Sequence, residues 1–279
     1  MALLCASKVR DPLARREGRI ALLIAIDIGN TTLQIGVFND RKIVHTWRLA
    51  TQHDRLSDEY GIFVASLLRY EGIQIAQIDG AIISSVVPAL APVFQDVCRK
   101  FLRTEPLLVS PHMRKPVRIG IEHTEELGAD RIVDAVAALS RYGPPPLIVV
   151  DFGTATVFDA INEHGVYIGG AISPGIGIST EALFDRARRQ APNDQERPPA
   201  AIRTRTETAL QSGILFGYVG LVEGIIARFR QELGDARVVA TGGWAPRIAE
   251  ETDILDIVDE DLILWGLREL YYFNAEGTP

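Results

Sequence analysis

Cysteine is almost missing from this chain: two among 279 residues, Cys5 and Cys98, far apart and at neither a metal-type nor a redox-type spacing. That scarcity excludes a disulfide framework and favours a reducing cytoplasmic setting. Histidine is equally sparse, five scattered residues that form no metal-ligand cluster in the sequence. An excess of basic charge is also lacking, since 29 Lys and Arg stand against 36 Asp and Glu, a net charge of −7. No basic field is left to neutralise many phosphates, so nucleic acid is not expected as a partner. The uninterrupted apolar runs, such as Ile20 to Ile26 and Leu147 to Val150, are too short to span a bilayer, and no membrane partner is expected. The basic residues near the start (Lys8, Arg10, Arg15, Arg16, Arg19) follow the short apolar stretch Met1 to Ala6. A secretory leader has the reverse order, so residues 1–21 read as a disordered extension outside the fold.

The chain does have material for a core, with 47% hydrophobic and 23% charged residues. Its first half opens with three strand-like runs, Ala21 to Asp27, Leu33 to Phe38 and Lys42 to Leu49, joined by turn residues. A helix is expected over Ser57 to Tyr70 with Ser57 as its cap, then a strand over Ala81 to Val87. A helix from Pro88 to about Phe101 and a short strand at Leu107 to Val109 complete this half. The second half repeats the grammar with strands at Leu147 to Asp151, Ala155 to Ile161 and Val166 to Ile172. Helices follow at Ser179 to Arg189 and Thr206 to Leu233, then a strand at Arg237 to Ala240 and a helix at Leu262 to Tyr272. The expected fold is α/β with mixed sheets, built twice.

The halves also share residues. Ile26-Asp-Ile-Gly-Asn-Thr-Thr-Leu33 lines up with Val150-Asp-Phe-Gly-Thr-Ala-Thr-Val157, with Asp, Gly and Thr at equal spacing after an apolar strand. An Asp at a strand end, a Gly that admits an anion to the backbone, and clustered amide and hydroxyl donors suit a phosphate. A carboxylate beside polyphosphate requires an intervening cation, so Asp27 implies Mg²⁺, directly or through water. Asp-Gly-Asn-Thr are equally the residues of a plain β-turn. Thr241-Gly242-Gly243 after a strand is either a surface for a ribose or a glycine entry to a helix. Gly128-Ala-Asp-Arg131 offers Asp130 as a base and Arg131 as a carboxylate fork, or a first-turn Asp that favours the helix dipole.

Taken in order, Asp27-Ile-Gly-Asn-Thr-Thr32, Ser84-Ser-Val-Val-Pro88, Gly128-Ala-Asp-Arg131, Asp151-Phe-Gly-Thr-Ala-Thr156, Gly169-Gly-Ala-Ile-Ser-Pro-Gly175 and Ala240-Thr-Gly-Gly243 resemble type III pantothenate kinase over residues 22 to about 273. The resemblance implies duplicated actin-like (ribonuclease H-like) domains with a cleft between them. The expected division is residues 22–118 with the ATP phosphate hairpin and 119–279 with substrate and cation sites. It further implies a cytoplasmic homodimer that phosphorylates pantothenate with ATP. By position, Asp27, Ile28, Gly29, Asn30, Thr31, Thr32, Leu33 and Gln34 would bind ATP with Mg²⁺, and Thr154 would also contact ATP. Gly128, Ala129, Asp130, Arg131 and Thr206 would hold pantothenate, with Asp130 as catalytic base, and Asp151 would bind K⁺ or NH₄⁺.

The sequence departs from the family pattern at Ile121, where a tyrosine is frequent, at Val157 in place of a threonine, and at Arg203 in place of a glycine. Two alternatives to a pantothenate kinase follow: a non-catalytic regulatory relative of the same fold, or a superfamily kinase for another small hydroxyl substrate.

Overall fold

The computed structural model describes residues 21–186 and 197–275. The expected extension therefore lies outside the described residues except for Ala21, as does the end of the helix expected to reach Arg189. The described residues divide into two compact units, one running up to Arg114 and resuming at Leu270, the other lying between Lys115 and Glu269.

The first unit is a five-stranded sheet in the order β3-β2-β1-β4-β5. Its strands are β1 (Leu22–Ile28), β2 (Thr32–Asn39), β3 (Lys42–Ala50), β4 (Ile78–Ser85) and β5 (Pro106–Leu108), with β1, β2 and β3 antiparallel and β1, β4 and β5 parallel. Along β1 the residues alternate. Ile24, Ile26 and Ile28 pack with Leu33, Ile35 and Val37 of β2 against Tyr60, Val64 and Leu68 of α1 (Ser57–Tyr70) and Phe94 and Val97 of α2 (Leu90–Val97). Successive strand side chains face opposite ways, so Asp27 points to the other face, in register with Gln34 on β2 and Ser84 on β4. Helix α1 has the expected bounds, but its cap is Leu56, whose N–H donates to the Glu59 carboxylate at 2.9 Å. The helix expected to run from Pro88 to Phe101 is shorter, widening after Val97 into a π-type turn over Cys98–Leu102 that closes on Arg103 in the left-handed region.

The second unit repeats this layout as β9-β8-β7-β10-β11 with an added strand, β6, beside β9. The elements are β6 (Arg118–Ile119), α3 (Ala129–Tyr142), β7 (Leu147–Phe152), β8 (Ala155–Ile161), β9 (Val166–Pro174), α4 (Ile176–Arg186), α5 (Thr206–Leu233), β10 (Arg237–Thr241), α6 (Ala245–Ala249), β11 (Ile257–Val258) and the start of α7 (Leu262–Ala275), whose residues from Leu270 belong to the first unit. One sheet face packs Ile148, Val150, Phe152, Phe158 and Ala240 under Tyr218, Val219, Val222 and Ile226 of α5. Asp151 and Asp159 alternate with these residues and take the opposite face, where α3 packs on β7 and β8. By length and composition α5 is apolar enough to cross a membrane. A search for uninterrupted apolar runs overlooks it because Gly, Ser and Tyr break the pattern.

The two hairpins are related but not superposable by sequence alignment. In the first, Ile28 pairs with Leu33 and the Gly29 N–H donates to the Thr32 carbonyl. In the second, Phe152 pairs with Thr156 and the Gly153 N–H donates to the Ala155 carbonyl. The second turn is one residue tighter, and a one-residue slip moves each side chain to the other face. Asp27 thus faces Gln34, whereas Asp151 faces Val157.

Candidate active site

Asp27 is partly buried as the penultimate residue of β1, and beyond it Asn30, Thr31 and Thr32 are exposed. The hairpin is held open to solvent from behind: Thr51 donates its hydroxyl to the Gly29 carbonyl at 2.8 Å and its N–H to the Thr31 carbonyl at 2.9 Å. A Cβ on Gly29 would stand 2.9 Å from the Thr32 carbonyl oxygen, too close for any side chain. Ile28 and Leu33 are buried completely, so only their main chain is available to a ligand.

In the second unit, Asp130 is the second residue of α3 after the cap Gly128, and its Oδ1 accepts the Arg131 N–H at 2.8 Å. Burial pushes the Asp130 carboxyl above its ordinary range, opposed by that N–H and by the Arg131 charge. Arg131 reaches back to β8, where Nε and Nη2 donate to Oδ1 of Asp159 at 2.9 and 2.6 Å. Tyr167 donates its hydroxyl to the same oxygen at 2.7 Å. Asp151 lies near enough to Asp130 and Asp159 to be repelled by both. Burial first, then this repulsion, raises its carboxyl to about 7. It accepts no hydrogen bond and forms no ion pair among the described residues.

Beside Asp151 stands Gly242 at φ +89°, just beyond β10. A Cβ there would lie 2.5 Å from Asp151 Oδ1 and 2.7 Å from the Phe152 main chain. Gly242 therefore serves the Asp151 carboxylate and the entry to α6. The following Gly243 has nothing within 4 Å. Gly242→Ala should lower stability by about 2 kcal/mol or more, from left-handed strain and the close contact. Gly243→Ala should be nearly neutral. Equal denaturant midpoints for the two variants would contradict this packing.

Thr154 is exposed in the second hairpin turn, and its carbonyl accepts the Gly175 N–H at 3.1 Å. Gly128 and Ala129 form the start of α3, and Thr206, exposed, is the first residue of α5. Ile121 lies near Gly169, 3.8 Å from where its Cβ would be, and Val157 faces Asp151. Buried Arg203 Nε has no hydrogen-bond partner among the described residues. Asp159 and Tyr167 were not among the expected site residues. A lone acid in the buried strand Thr156-Val-Phe-Asp-Ala-Ile161 was the available signal, because an unpaired buried carboxylate is costly. No group of three or more His, Cys, Asp or Glu among the described residues is placed to hold a metal ion.

The family described as type III pantothenate kinase matches residues 23–228. A type III pantothenate kinase of Geobacillus kaustophilus is 46% identical over 256 residues, covering 91% of this chain and 99% of its own. Among solved structures, component A of the (R)-2-hydroxyglutaryl-CoA dehydratase of Acidaminococcus fermentans has a TM-score of 0.54 at 12% identity, covering 92% of this chain and 98% of its own. The ROK hexokinase of Thermus thermophilus has a TM-score of 0.50 at 11% identity, with 92% and 100% covered. These likenesses bear on the fold, which is α/β with two mixed sheets of the actin-like kind. With nearly three quarters of its length matched by the family and near-complete relatives at this identity, the chain belongs to the type III pantothenate kinases.

Proposed function

We propose that this chain transfers the γ-phosphoryl group of ATP to the primary hydroxyl of pantothenate, giving 4'-phosphopantothenate and ADP in the first step towards coenzyme A. The observation that supports this reading best is Asp130 beside Arg131 at the start of α3. A carboxylate with a raised proton affinity is adjacent to a guanidinium fixed by Asp159, in a chain of this family.

Phosphoryl transfer to an alcohol has a loose transition state, so positioning and charge neutralisation carry most of the acceleration. Asp130 accepts the hydroxyl proton as the new O–P bond forms and the bond to the β-phosphate oxygen breaks. Arg131 orients the substrate by its carboxylate. On the first unit, Asn30, Thr31 and Thr32 offer side-chain and main-chain donors to phosphate oxygens, with Ile28, Gly29, Leu33 and Gln34 shaping the turn. Thr154 and Thr206 are read as further contacts to ATP and pantothenate. Mg²⁺ beside Asp27 would offset phosphate charge.

Asp151 suits a monovalent cation: its carboxylate is desolvated, is repelled by Asp130 and Asp159, and lacks a hydrogen-bonding partner among the described residues. The chain is read as a cytoplasmic homodimer. Gly213, Gly217 and Gly220 of α5 are open above their Cα atoms, at spacings that share a helix face, and such a strip admits a second helix closely. Light scattering on purified protein tests the assembly.

The test of the activity is an ATP-dependent phosphorylation assay with pantothenate, run in potassium, ammonium or sodium. Product is expected in potassium or ammonium. Its absence under every cation would overturn the reading, and equal rates in sodium alone would remove the cation role from Asp151.

A further inference from the structure

We infer that Asp159 and Tyr167 are positioning residues that fix Arg131 so that only the Nη1–Nη2 edge of its guanidinium is presented to the substrate carboxylate; this rests on the pantothenate reading above. A guanidinium has five N–H donors on a rigid plane. Asp159 Oδ1 takes one from Nε and one from Nη2, occupying the side edge of the plane. Nη1 has no hydrogen-bond partner among the described residues. The remaining fork, Nη1 with the second N–H of Nη2, matches the two oxygens of a carboxylate.

The surroundings hold this orientation from three sides. Tyr167 donates to Asp159 Oδ1, so the carboxylate oxygen is fixed by three donors, and the tyrosine ring lies 5.7 Å from the guanidinium carbon. Gly170 stands opposite Asp159 in the sheet register. A Cβ at Gly170 would collide first with the Phe158 carbonyl oxygen and would also come within 3.0 Å of Arg131 Nη2, so the glycine is required by the close strand pairing and leaves the guanidinium its place beside it. Asp159 is 4% exposed and Arg131 18%. A buried ion pair is an expensive way to gain stability, and its better-attested use is in fixing one arrangement. Here the fixed element sits one residue after the proposed base, so the orientation of Arg131 sets which end of the substrate lies at Asp130.

The experiment compares Asp159→Asn and Tyr167→Phe with the parent enzyme. Steady-state kinetics would be measured on pantothenate and on pantothenyl alcohol, in which the carboxylate is replaced by a hydroxymethyl group. Asp159→Asn should raise the KM for pantothenate by about 10- to 100-fold, the range for loss of a charge-assisted hydrogen bond, with the KM for ATP changed less than about twofold. Tyr167→Phe should raise the pantothenate KM by about 3- to 10-fold, a smaller effect because it removes one of three donors to Asp159 Oδ1 and leaves both Arg131 hydrogen bonds in place. The preference for pantothenate over pantothenyl alcohol should shrink in the same order. A merely structural role would lower turnover on both substrates alike and leave their ratio unchanged, and that result overturns the inference. Should Asp159→Asn not fold, Tyr167→Phe keeps the ring and decides the question by its substrate ratio. Failure of the parent to phosphorylate pantothenate would instead refute the functional reading, independently of either variant.

Discussion

Asp130→Asn should reduce turnover by a factor of about 10² to 10⁴, the range for removing a general base, while the KM for ATP stays within about threefold. Asparagine has the same shape, and its side-chain oxygen can accept the Arg131 N–H as Asp130 does at 2.8 Å. The start of α3 should therefore survive, and thermal melting should change little. What asparagine lacks is a basic site for the acceptor's proton. The loss should appear in kcat, with substrate KM values largely retained, because a base acts on the transition state more than on the ground state. Burial raises the Asp130 carboxyl, and a base must be ionised to act. Activity of the parent should consequently rise with pH as Asp130 loses its proton, from a point above the ordinary carboxylate range. That rise should vanish in the variant's residual activity. Near-normal turnover in Asp130→Asn would remove Asp130 from the base role and leave it the first-turn helix acid that its sequence position also allows.

Much of the fold was legible because its elements are long and strongly patterned. Helices α1 and α5 have the expected bounds, since their apolar residues recur at helical spacing for several turns. The three-strand openings of both units were also legible, from alternation and turn residues. Strands β6 and β11 were not: each has two residues, too few to show any period. Helix α6, five residues after Gly242, was hidden for the same reason. The paired Asp-x-Gly motifs were visible, but their one-residue difference in register was not, because it depends on which carbonyl the Gly N–H selects. Ser57 was favoured as a cap on propensity alone, whereas the structure uses the Glu59 carboxylate reaching back to Leu56. In the site, adjacency in sequence found Asp130 and Arg131. Asp159 and Tyr167 are 28 and 36 positions further along and meet Arg131 only through β8 and β9 pairing in the sheet.

Asp151→Asn should raise the melting temperature of the cation-free protein at pH 8 while abolishing its response to potassium. Asp151 is desolvated and repelled by Asp130 and Asp159, which together raise its carboxyl from 3.8 to about 7. A folded-state value above the unfolded one means a contribution to stability that is present below about pH 4. It is lost as pH rises and is gone once pH passes the folded value near 7. Above that point the folded protein keeps an ionised carboxylate among two others, at a cost of at most a few kcal/mol. Asparagine removes that cost, and for a protein of this size the gain should appear as a rise of several degrees. The difference between variant and parent should shrink steadily from pH 7 down to about pH 4, because both carry a neutral group there. A bound cation relieves the same repulsion, so potassium should raise the melting temperature of the parent at pH 8 and leave the variant unchanged. A variant that melts lower than the parent at pH 8 would make Asp151 a structural acceptor. Turnover in potassium should meanwhile fall by about 10²-fold or more, as when one charge-stabilising group of a phosphoryl-transfer site is removed. The carboxylate that weakens the cation-free fold is then the one the reaction requires, and a gain in stability joined to a loss of activity in one substitution separates that role from simple damage to the fold.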